Sequence, residues 1–161
     1  MSELSHLDQQ GYAIMVDVGQ KENTERTAKA TGTIQMNGDA FSAIIENRVP
    51  KGDVFAAARI AGIMATKKTS ELIPLCHPLL LTNVSVSFKS DPEKNQIHCE
   101  CVVKLCGKTG AEMEALTGVT TALLTIYDMC KALDKSMTIK EVCLLEKTGG
   151  KSGRYVRKEE N

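Results

Sequence analysis

An aspartate and a lysine stand one helical turn apart near the end of the sequence, in the segment TIYDMCKALDK (125–135). Asp128 and Lys131 have the i, i+3 spacing that puts two side chains on one side of a helix. An ordinary surface ion pair at this spacing stabilises a helix by roughly 0.2–0.5 kcal/mol. The apolar residues around the pair indicate partial burial instead, and a partly buried carboxylate beside an ammonium has tunable pKa values that suit acid–base chemistry.

Further candidates for proton transfer lie in two other segments. His77 stands in PLCHP between two prolines that restrict the backbone. An imidazole there suits proton transfer, and a histidine that only makes structural hydrogen bonds is the alternative. Glu112 and Glu114 fall at the start of a predicted helix, where acids also simply favour the helix dipole.

The helix that carries these glutamates also carries Asp128. At a rise of 1.5 Å per residue, a straight helix would put Glu114 about 21 Å from Asp128. One small ligand cannot contact both residues on the same straight helix. Either the helix bends at Glu114, or two subunits combine opposite ends of it, and we favour the subunit interface.

Three lysines stand where phosphate could bind. Lys51 in KGDV precedes a predicted helix N-terminus, where backbone N–H groups gather and anions bind. Lys147 and Lys151 lie in KTGGKSG, which is similar to a phosphate-binding loop. Leu145 occupies the place of that pattern's first glycine, however, and no helix follows. We predict a flexible basic lid, with a disordered tail as the alternative.

The six cysteines do not form a metal-binding pattern. Cys76, His77, Cys99 and Cys101 are of ligand types, but the sequence contains no CxxC or HxxxH pair. Cys99 and Cys101 alternate with polar residues on a predicted strand, so we expect them to face the core. We therefore predict no bound metal, and reduced thiols in a cytoplasmic protein.

Composition indicates one globular domain. The chain has 161 residues, of which 20 are basic and 20 acidic, and 42% are hydrophobic. This balance gives no indication of a nucleic-acid or membrane partner. No apolar run approaches the roughly 18 residues that a membrane span needs. We expect a single domain over 1–161, with a flexible N-terminal arm at about 1–13 and a C-terminal tail at about 149–161.

Hydrophobic periodicity predicts a mixture of helices and antiparallel strands. We predict helices at 39–47, 54–68 and 111–135, the first capped by Asp39 and the second by Asp53. Strands are predicted at 30–36 and 138–147, with a hairpin whose strands include 84–88 and 97–105. This mixture predicts an α+β fold, with the helices packed on one face of an antiparallel sheet.

Five segments, in the same order, resemble the cyclic pyranopterin monophosphate synthases, the molybdenum cofactor biosynthesis protein C family. They are MVDV, KGDVFAAARIAGIMATKKTSELIPLCHPL, GKTGAEMEALTGV, LTIYDMCKALDK and LLEKTGGKSG. The resemblance runs from about Met15 to Gly153, with Ala111 in place of an expected valine. It implies a ferredoxin-like fold and a homohexamer built as a trimer of dimers, with sites at a subunit interface.

The resemblance also implies a reaction. The substrate would be a cyclised dihydro-GTP, the 3′,8-cyclo form, and the products cyclic pyranopterin monophosphate and pyrophosphate. The steps are the opening of the imidazole ring by water, the formation of the pterin and pyran rings, and the cyclisation of a phosphate. Each step moves protons, so acids and bases are needed around one bound molecule. No cofactor is implied.

The resemblance assigns roles to individual residues. It makes Asp128 the catalytic residue, Lys131 its acid–base partner, and Lys51 a second catalytic lysine or phosphate ligand. It assigns substrate binding to Leu75, Cys76, His77, Glu112, Met113, Glu114, Asp17, Arg26, Lys147 and Lys151. The alternatives are a non-catalytic nucleotide- or pterin-binding oligomer, a zinc-stabilised structural protein, and a scaffold whose charged helix positions only join subunits.

Overall fold

The computed structural model describes residues 7–8 and 10–158. Its strands are β1 (Thr24–Gln35), β2 (Leu81–Asp91), β3 (Gln96–Gly107), β4 (Thr138–Thr148) and β5 (Tyr155–Val156). They form one antiparallel sheet in the order β2-β3-β1-β4-β5. The helices are α1 (Gly38–Ile45), α2 (Val54–Thr66), α3 (Thr69–Leu72) and α4 (Glu112–Cys130). The predicted α+β fold is confirmed, and the succession of strands and helices over β1–β4 is that of a ferredoxin-like fold.

Strand β1 lies in the middle of the sheet, and small residues on one of its faces let helix α4 approach closely. Ala28, Ala30 and Gly32 face the helices, while the alternate residues face away. A Cβ atom on Gly32 would lie 2.9 Å from the side chains of both Val119 and Leu123 on α4. Strand β3 adds Cys99 and Cys101 to this core, both fully buried, as predicted.

Helices α2 and α4 pack together on the same face of the sheet, through two glycines. A Cβ atom on Gly62 would lie 3.0 Å from the backbone oxygen of Gly118, and one on Gly118 would lie 2.7 Å from Cys101 Sγ. This close contact fixes α4 against both the sheet and α2. The two ends of α4 are thereby held in place, and the candidate site residues cluster at those ends.

The cap of α1 differs from the prediction. Asn37, not Asp39, is the cap: its side-chain oxygen accepts a hydrogen bond from the Ala40 N–H at 2.8 Å. Asp39 lies inside the first turn, where its charge favours the helix dipole. Asp53 caps α2 as predicted, by accepting from the Ala56 N–H at 2.9 Å.

Part of the predicted C-terminal tail returns to the sheet. Strand β5 pairs with β4 through Lys147↔Tyr155 and Glu146↔Val156. The intervening loop contains Gly149, Gly150 and Gly153, with φ values of 95°, 72° and 64°. These left-handed conformations favour glycine, so the glycine run is explained by the shape of the connection. Within the described chain no helix is long and apolar enough to cross a bilayer.

Candidate active site

The C-terminal end of α4 carries a cluster of two lysines around one aspartate. Lys131 Nζ lies 2.7 Å from Asp128 Oδ1, and Lys51 Nζ lies 3.0 Å from Oδ2. Lys51 also donates to the backbone carbonyl of Asp128 at 2.9 Å. It thus satisfies a carbonyl in the last turn of the helix, where positive charge is favourable. Lys51 was predicted to bind anions at the start of α2, and its ammonium points instead to the end of α4.

The two lysines fix the protonation state of Asp128. The hydrogen bond from Lys131, followed by that from Lys51, lowers the pKa of the Asp128 carboxyl to about 2. In return, the hydrogen bond to Asp128 raises the pKa of Lys131. At neutral pH the cluster is therefore a carboxylate holding ammonium groups on both of its oxygens.

The predicted partial burial of this pair is wrong in the isolated chain. The Asp128 side chain is 57% exposed and that of Lys131 is 54% exposed. The apolar neighbours in the sequence turn toward the core instead: Ile126 and Cys130 are fully buried. A helix turns by about 100° per residue, so Ile126 and Cys130, each two residues from Asp128, lie on nearly the opposite face of α4. Apolar neighbours in sequence therefore do not bury the Asp128 side chain.

The N-terminal end of α4 borders a second cluster, a narrow cleft of about 300 Å³. Its walls bring together six of the predicted substrate-binding residues, from the turn after α3 and from the first turn of α4. These six are Leu75, Cys76, His77, Glu112, Met113 and Glu114. Apolar side chains with a few polar groups are typical of sites for small heterocyclic ligands.

His77 connects this cleft to the segment before β1. Its Nε2 lies 2.8 Å from the backbone oxygen of Val16. A carbonyl oxygen only accepts, so Nε2 carries the proton, and exchange of a proton by the neutral ring would use Nδ1. Val16 and Val18 line the same cleft, so the histidine both borders the cleft and anchors one of its walls.

Glu114 and Cys76 are protonated more readily than usual. Glu114 is only 4% exposed, and burial raises the pKa of its carboxyl to about 7, with a further rise from the charge of Glu112. Burial, and then the charge of Glu114, raise the pKa of the Cys76 thiol. Cys76 is therefore not an activated thiolate, while Glu114 can hold or release a proton near neutral pH.

A wide cleft of about 770 Å³ adjoins the narrow one. The two share four lining residues: Lys21, Thr109, Gly110 and Glu112. The wide cleft contains five basic residues and two acidic ones, Glu22 and Glu112. Such an excess of positive charge favours a polyanion. The basic residues are Lys21, Arg26, Lys108, Lys147 and Lys151.

Lys21 and Lys108 were missed by the sequence analysis. Lys108 Nζ donates to the backbone oxygen of Gly19 at 2.8 Å. Lys108 directly follows the end of β3 and Lys21 lies in an irregular segment, so neither had a periodic pattern to mark it. The position of Lys108 inside GKTG, next to the predicted glutamates, was the only available signal.

Asp17 stands apart from the other predicted ligands. Its carboxylate Oδ1 accepts from the Gly19 N–H at 2.8 Å, and Asp17 does not line either cleft. This contact forms a local turn in the segment that carries the cleft residues Val16 and Val18. In this chain Asp17 therefore shapes a wall of the site.

The two clusters lie at opposite ends of α4 and do not meet within one chain. The helix is continuous from Glu112 to Cys130, so Glu114 and Asp128 are about 21 Å apart along its axis. Between them runs an exposed stripe at helical spacing, formed by Met113, Thr120, Leu124 and Asp128. No group of three or more His, Cys, Asp or Glu residues in the described part of the chain could hold a metal ion.

Together, the fold and the two clusters define a ferredoxin-like α+β protein with a cationic ligand cleft and a lysine-bound carboxylate. The chain belongs to the MoaC family, whose family model matches residues 15–150. Three curated relatives, each named cyclic pyranopterin monophosphate synthase, match nearly their whole length. The relative from Pelotomaculum thermopropionicum is 56% identical over 99% of this chain and 94% of its own. The relative from Clostridium botulinum is 56% identical over 96% of this chain and 98% of its own. The relative from Heliobacterium modesticaldum is 54% identical over 99% of this chain and 100% of its own.

Proposed function

We propose that this chain is a cyclic pyranopterin monophosphate synthase of molybdenum cofactor biosynthesis. It would convert cyclised dihydro-GTP to cyclic pyranopterin monophosphate and pyrophosphate. The observation that carries the proposal is the junction of the two clefts at the N-terminal end of α4. A compact, partly apolar cleft next to a strongly cationic one matches a molecule with a fused ring system at one end and a triphosphate at the other.

The cationic cleft supplies what release of pyrophosphate needs. Negative charge builds up on the leaving group as its bond to the substrate breaks, and fixed ammonium groups stabilise that charge. Lys147 lies 3.8 Å from Glu112, with both side chains partly buried. The charge of Lys147 is therefore held at the junction, between the ring end and the phosphate end of the substrate.

The narrow cleft supplies groups that exchange protons with the ring system. Glu114, whose pKa burial raises to about 7, can donate or accept a proton near neutral pH, and the imidazole of His77 is a second proton-transfer group in the same cleft. Leu75 and Met113 add apolar contact area against a flat ring. The ring opening by water and the ring closures that follow would take place here.

Completion of the site requires a second subunit. The exposed stripe on α4 has Met113 at one end and Asp128 at the other, with its centre between Thr120 and Thr121. If two copies pair antiparallel about that centre, the partner subunit's Asp128 meets the Met113 end of this chain, and the reverse holds by symmetry. The apolar Leu124, which is 57% exposed, would be buried in the same contact.

In this arrangement the lysine–aspartate cluster closes the narrow cleft. Asp128 stays charged at neutral pH and holds the ammonium groups of Lys51 and Lys131 in place. Those ammonium groups can donate protons and stabilise negative charge on the substrate. Three such dimers would form the hexamer that the family resemblance implies.

The deciding experiment incubates the purified chain with cyclised dihydro-GTP and follows both pyrophosphate and the pterin product. The expected result is release of pyrophosphate in step with formation of the pterin. Saturable binding of the substrate without either product would contradict the proposal and identify a non-catalytic binding module. Analytical ultracentrifugation of the same sample tests the hexamer, and a monomer at assay concentration would contradict the shared site.

A further inference from the structure

Arg26 joins the sheet to the loop that leads into helix α4. Its Nε donates to the backbone oxygen of Gly107 at 2.8 Å, and its Nη2 donates to that of Lys108 at 3.0 Å. Both contacts are partly buried. Arg26 belongs to the helix-facing row of β1, beyond Ala28. It therefore lies under the loop between β3 and α4 and fixes two consecutive carbonyls of it.

The glycine loop after β4 packs on the other side of Arg26. A Cβ atom on Gly150 would overlap Nη1 of the guanidinium, and one on Gly149 would overlap the backbone oxygen of Glu25. Both glycines also have φ values in the left-handed region. The backbone of this loop therefore lies directly against Arg26, at a distance that leaves no room for a side chain.

Both loops that contact Arg26 carry cations of the wide cleft. The first loop carries Lys108 and continues into Glu112 of α4. The second loop begins after Thr148, the last residue of β4, and carries Lys151 directly after the two glycines. The spacing between these ammonium groups depends on the relative position of the loops. The Arg26 side chain contacts both loops.

We propose that Arg26 is a positioning residue for anion binding: it holds the two cationic loops at a fixed separation. This inference rests on the anion-binding role proposed for the wide cleft. A guanidinium offers a rigid fork of donors that matches two adjacent carbonyls, whereas a lysine ammonium is a single flexible point charge. A lysine at this position keeps the charge and loses the fork.

The test uses inorganic tripolyphosphate as the probe and titration calorimetry as the measurement. The variants are Arg26→Ala, Arg26→Lys, Lys147→Gln and the double variant Arg26→Ala/Lys147→Gln. Arg154→Ala is the matched control, because it removes one positive charge from the same C-terminal segment. Arg154 bonds Glu146 at 2.7 Å and does not line the wide cleft.

If Arg26 positions the loops, Arg26→Ala and Arg26→Lys weaken tripolyphosphate binding alike, each by about tenfold. Lys147→Gln weakens binding in the wild-type background but adds less than about twofold to Arg26→Ala, because Lys147 Nζ bonds Ser152 of the second loop and its ammonium is misplaced when that loop moves. Arg154→Ala stays within about twofold of wild type. Amide hydrogen exchange at 107–110 and 149–153 should be faster in both Arg26 variants and unchanged in the control.

Four results would overturn the inference. Arg26→Lys that binds as tightly as wild type, or full additivity with Lys147→Gln, would make Arg26 a direct phosphate ligand. Unchanged exchange in both loops would remove its positioning role. A wild-type chain that does not bind tripolyphosphate would refute the anion-binding role of the wide cleft itself. A chain that passes this test and still releases no pyrophosphate from cyclised dihydro-GTP would refute only the proposed function.

Discussion

Lys51 Nζ donates to both the carboxylate and the backbone carbonyl of Asp128, at 3.0 Å and 2.9 Å, although 77 residues separate them in sequence. The turn before α2 is thereby connected to the last turn of α4. Lys131 occupies the other carboxylate oxygen. Three hydrogen bonds from two lysines therefore converge on Asp128 at the surface of the chain. Charged residues on an ordinary solvent-exposed helix face do not need such an arrangement.

Replacement of Asp128 should separate stability from activity. The side chain is more than half exposed, so Asp128→Ala should leave the thermal unfolding midpoint nearly unchanged. Turnover should fall below detection, because Lys51 and Lys131 lose the group that orients them. The measurement is pyrophosphate release beside a melting curve. Glu46→Ala, which breaks the exposed pair with Arg48, is the control and should keep full activity.

The pKa of Asp128 should depend on the two lysines in a definite order. Because the hydrogen bond from Lys131 is the largest cause of the lowered pKa, Lys131→Ala should raise it further than Lys51→Ala does. NMR titration of the side-chain carboxyl measures both. The folded pKa lies below the ordinary 3.8, so this group favours folding above about pH 4 and ceases to do so as pH falls toward 2. An equal response in the two variants would contradict the ranking.

Glu114 should make the wild-type protein less stable as pH rises. Its carboxyl has a pKa of about 7 when folded against an ordinary 4.5, so the folded state holds the extra proton between those values. Stability therefore falls from about pH 4.5 to about pH 7 and is then level. Glu114→Gln removes this loss and should be more stable by about 3 kcal/mol at pH 8, with the difference closing at pH 4. Urea unfolding at several pH values measures it, and a pH-independent difference would disprove the cause.

Gly118→Ala should destabilise the protein although alanine favours helices. The propensity gain is about 1 kcal/mol, but the new Cβ would lie 2.7 Å from Cys101 Sγ and 2.9 Å from Thr66 Cγ2. Overpacking in a rigid core costs about 1–3 kcal/mol, so the net effect should be a loss. Gly38→Ala, with nothing within 4 Å of its Cβ, is the control and should be neutral or stabilising. Chemical denaturation measures both, and equal effects would contradict the tight contact.

A site shared between subunits should allow two inactive variants to rescue each other. His77→Ala and Asp128→Ala each disable every site alone. A mixed dimer would have one site with both defects and one with neither, so an equal mixture after subunit exchange should recover roughly a quarter of wild-type activity. The two variants mixed without exchange serve as the control. No recovery despite proven exchange would place both residues in a single chain's site.

Sequence patterns predicted the fold wherever a period was clear. The alternation around Cys99 and Cys101, and the cap at Asp53, led directly to β3 and α2. The early part of β1 was missed because Thr24, Glu25 and Arg26 have no apolar alternation. Their strand conformation comes from pairing with β3, as in Thr24↔Gly107. Asp39 was taken for a cap because Asn37 and Asp39 are both good capping residues, and only the extended backbone at Asn37 distinguishes them.

The candidate site was predicted in part. Residue types and family resemblance located His77, Glu112 and Glu114, which do share one cleft. They could not reveal that Arg26 donates two hydrogen bonds to backbone carbonyls, or that the Asp17 carboxylate accepts a hydrogen bond from the Gly19 N–H. Those contacts depend on where loops from distant parts of the chain meet, and no local period encodes that.

Helix α4 carries candidate site residues at both of its ends. The number of residues between them sets their distance along the helix axis and the angle between them around it. One residue inserted near Thr120 would lengthen α4 by about 1.5 Å and rotate the residues that follow it by about 100° around the helix axis. Asp128 would leave the exposed stripe, and Lys51 would lose its partner. The number of residues in this helix, more than the identity of those in its middle, is therefore what the chemistry constrains.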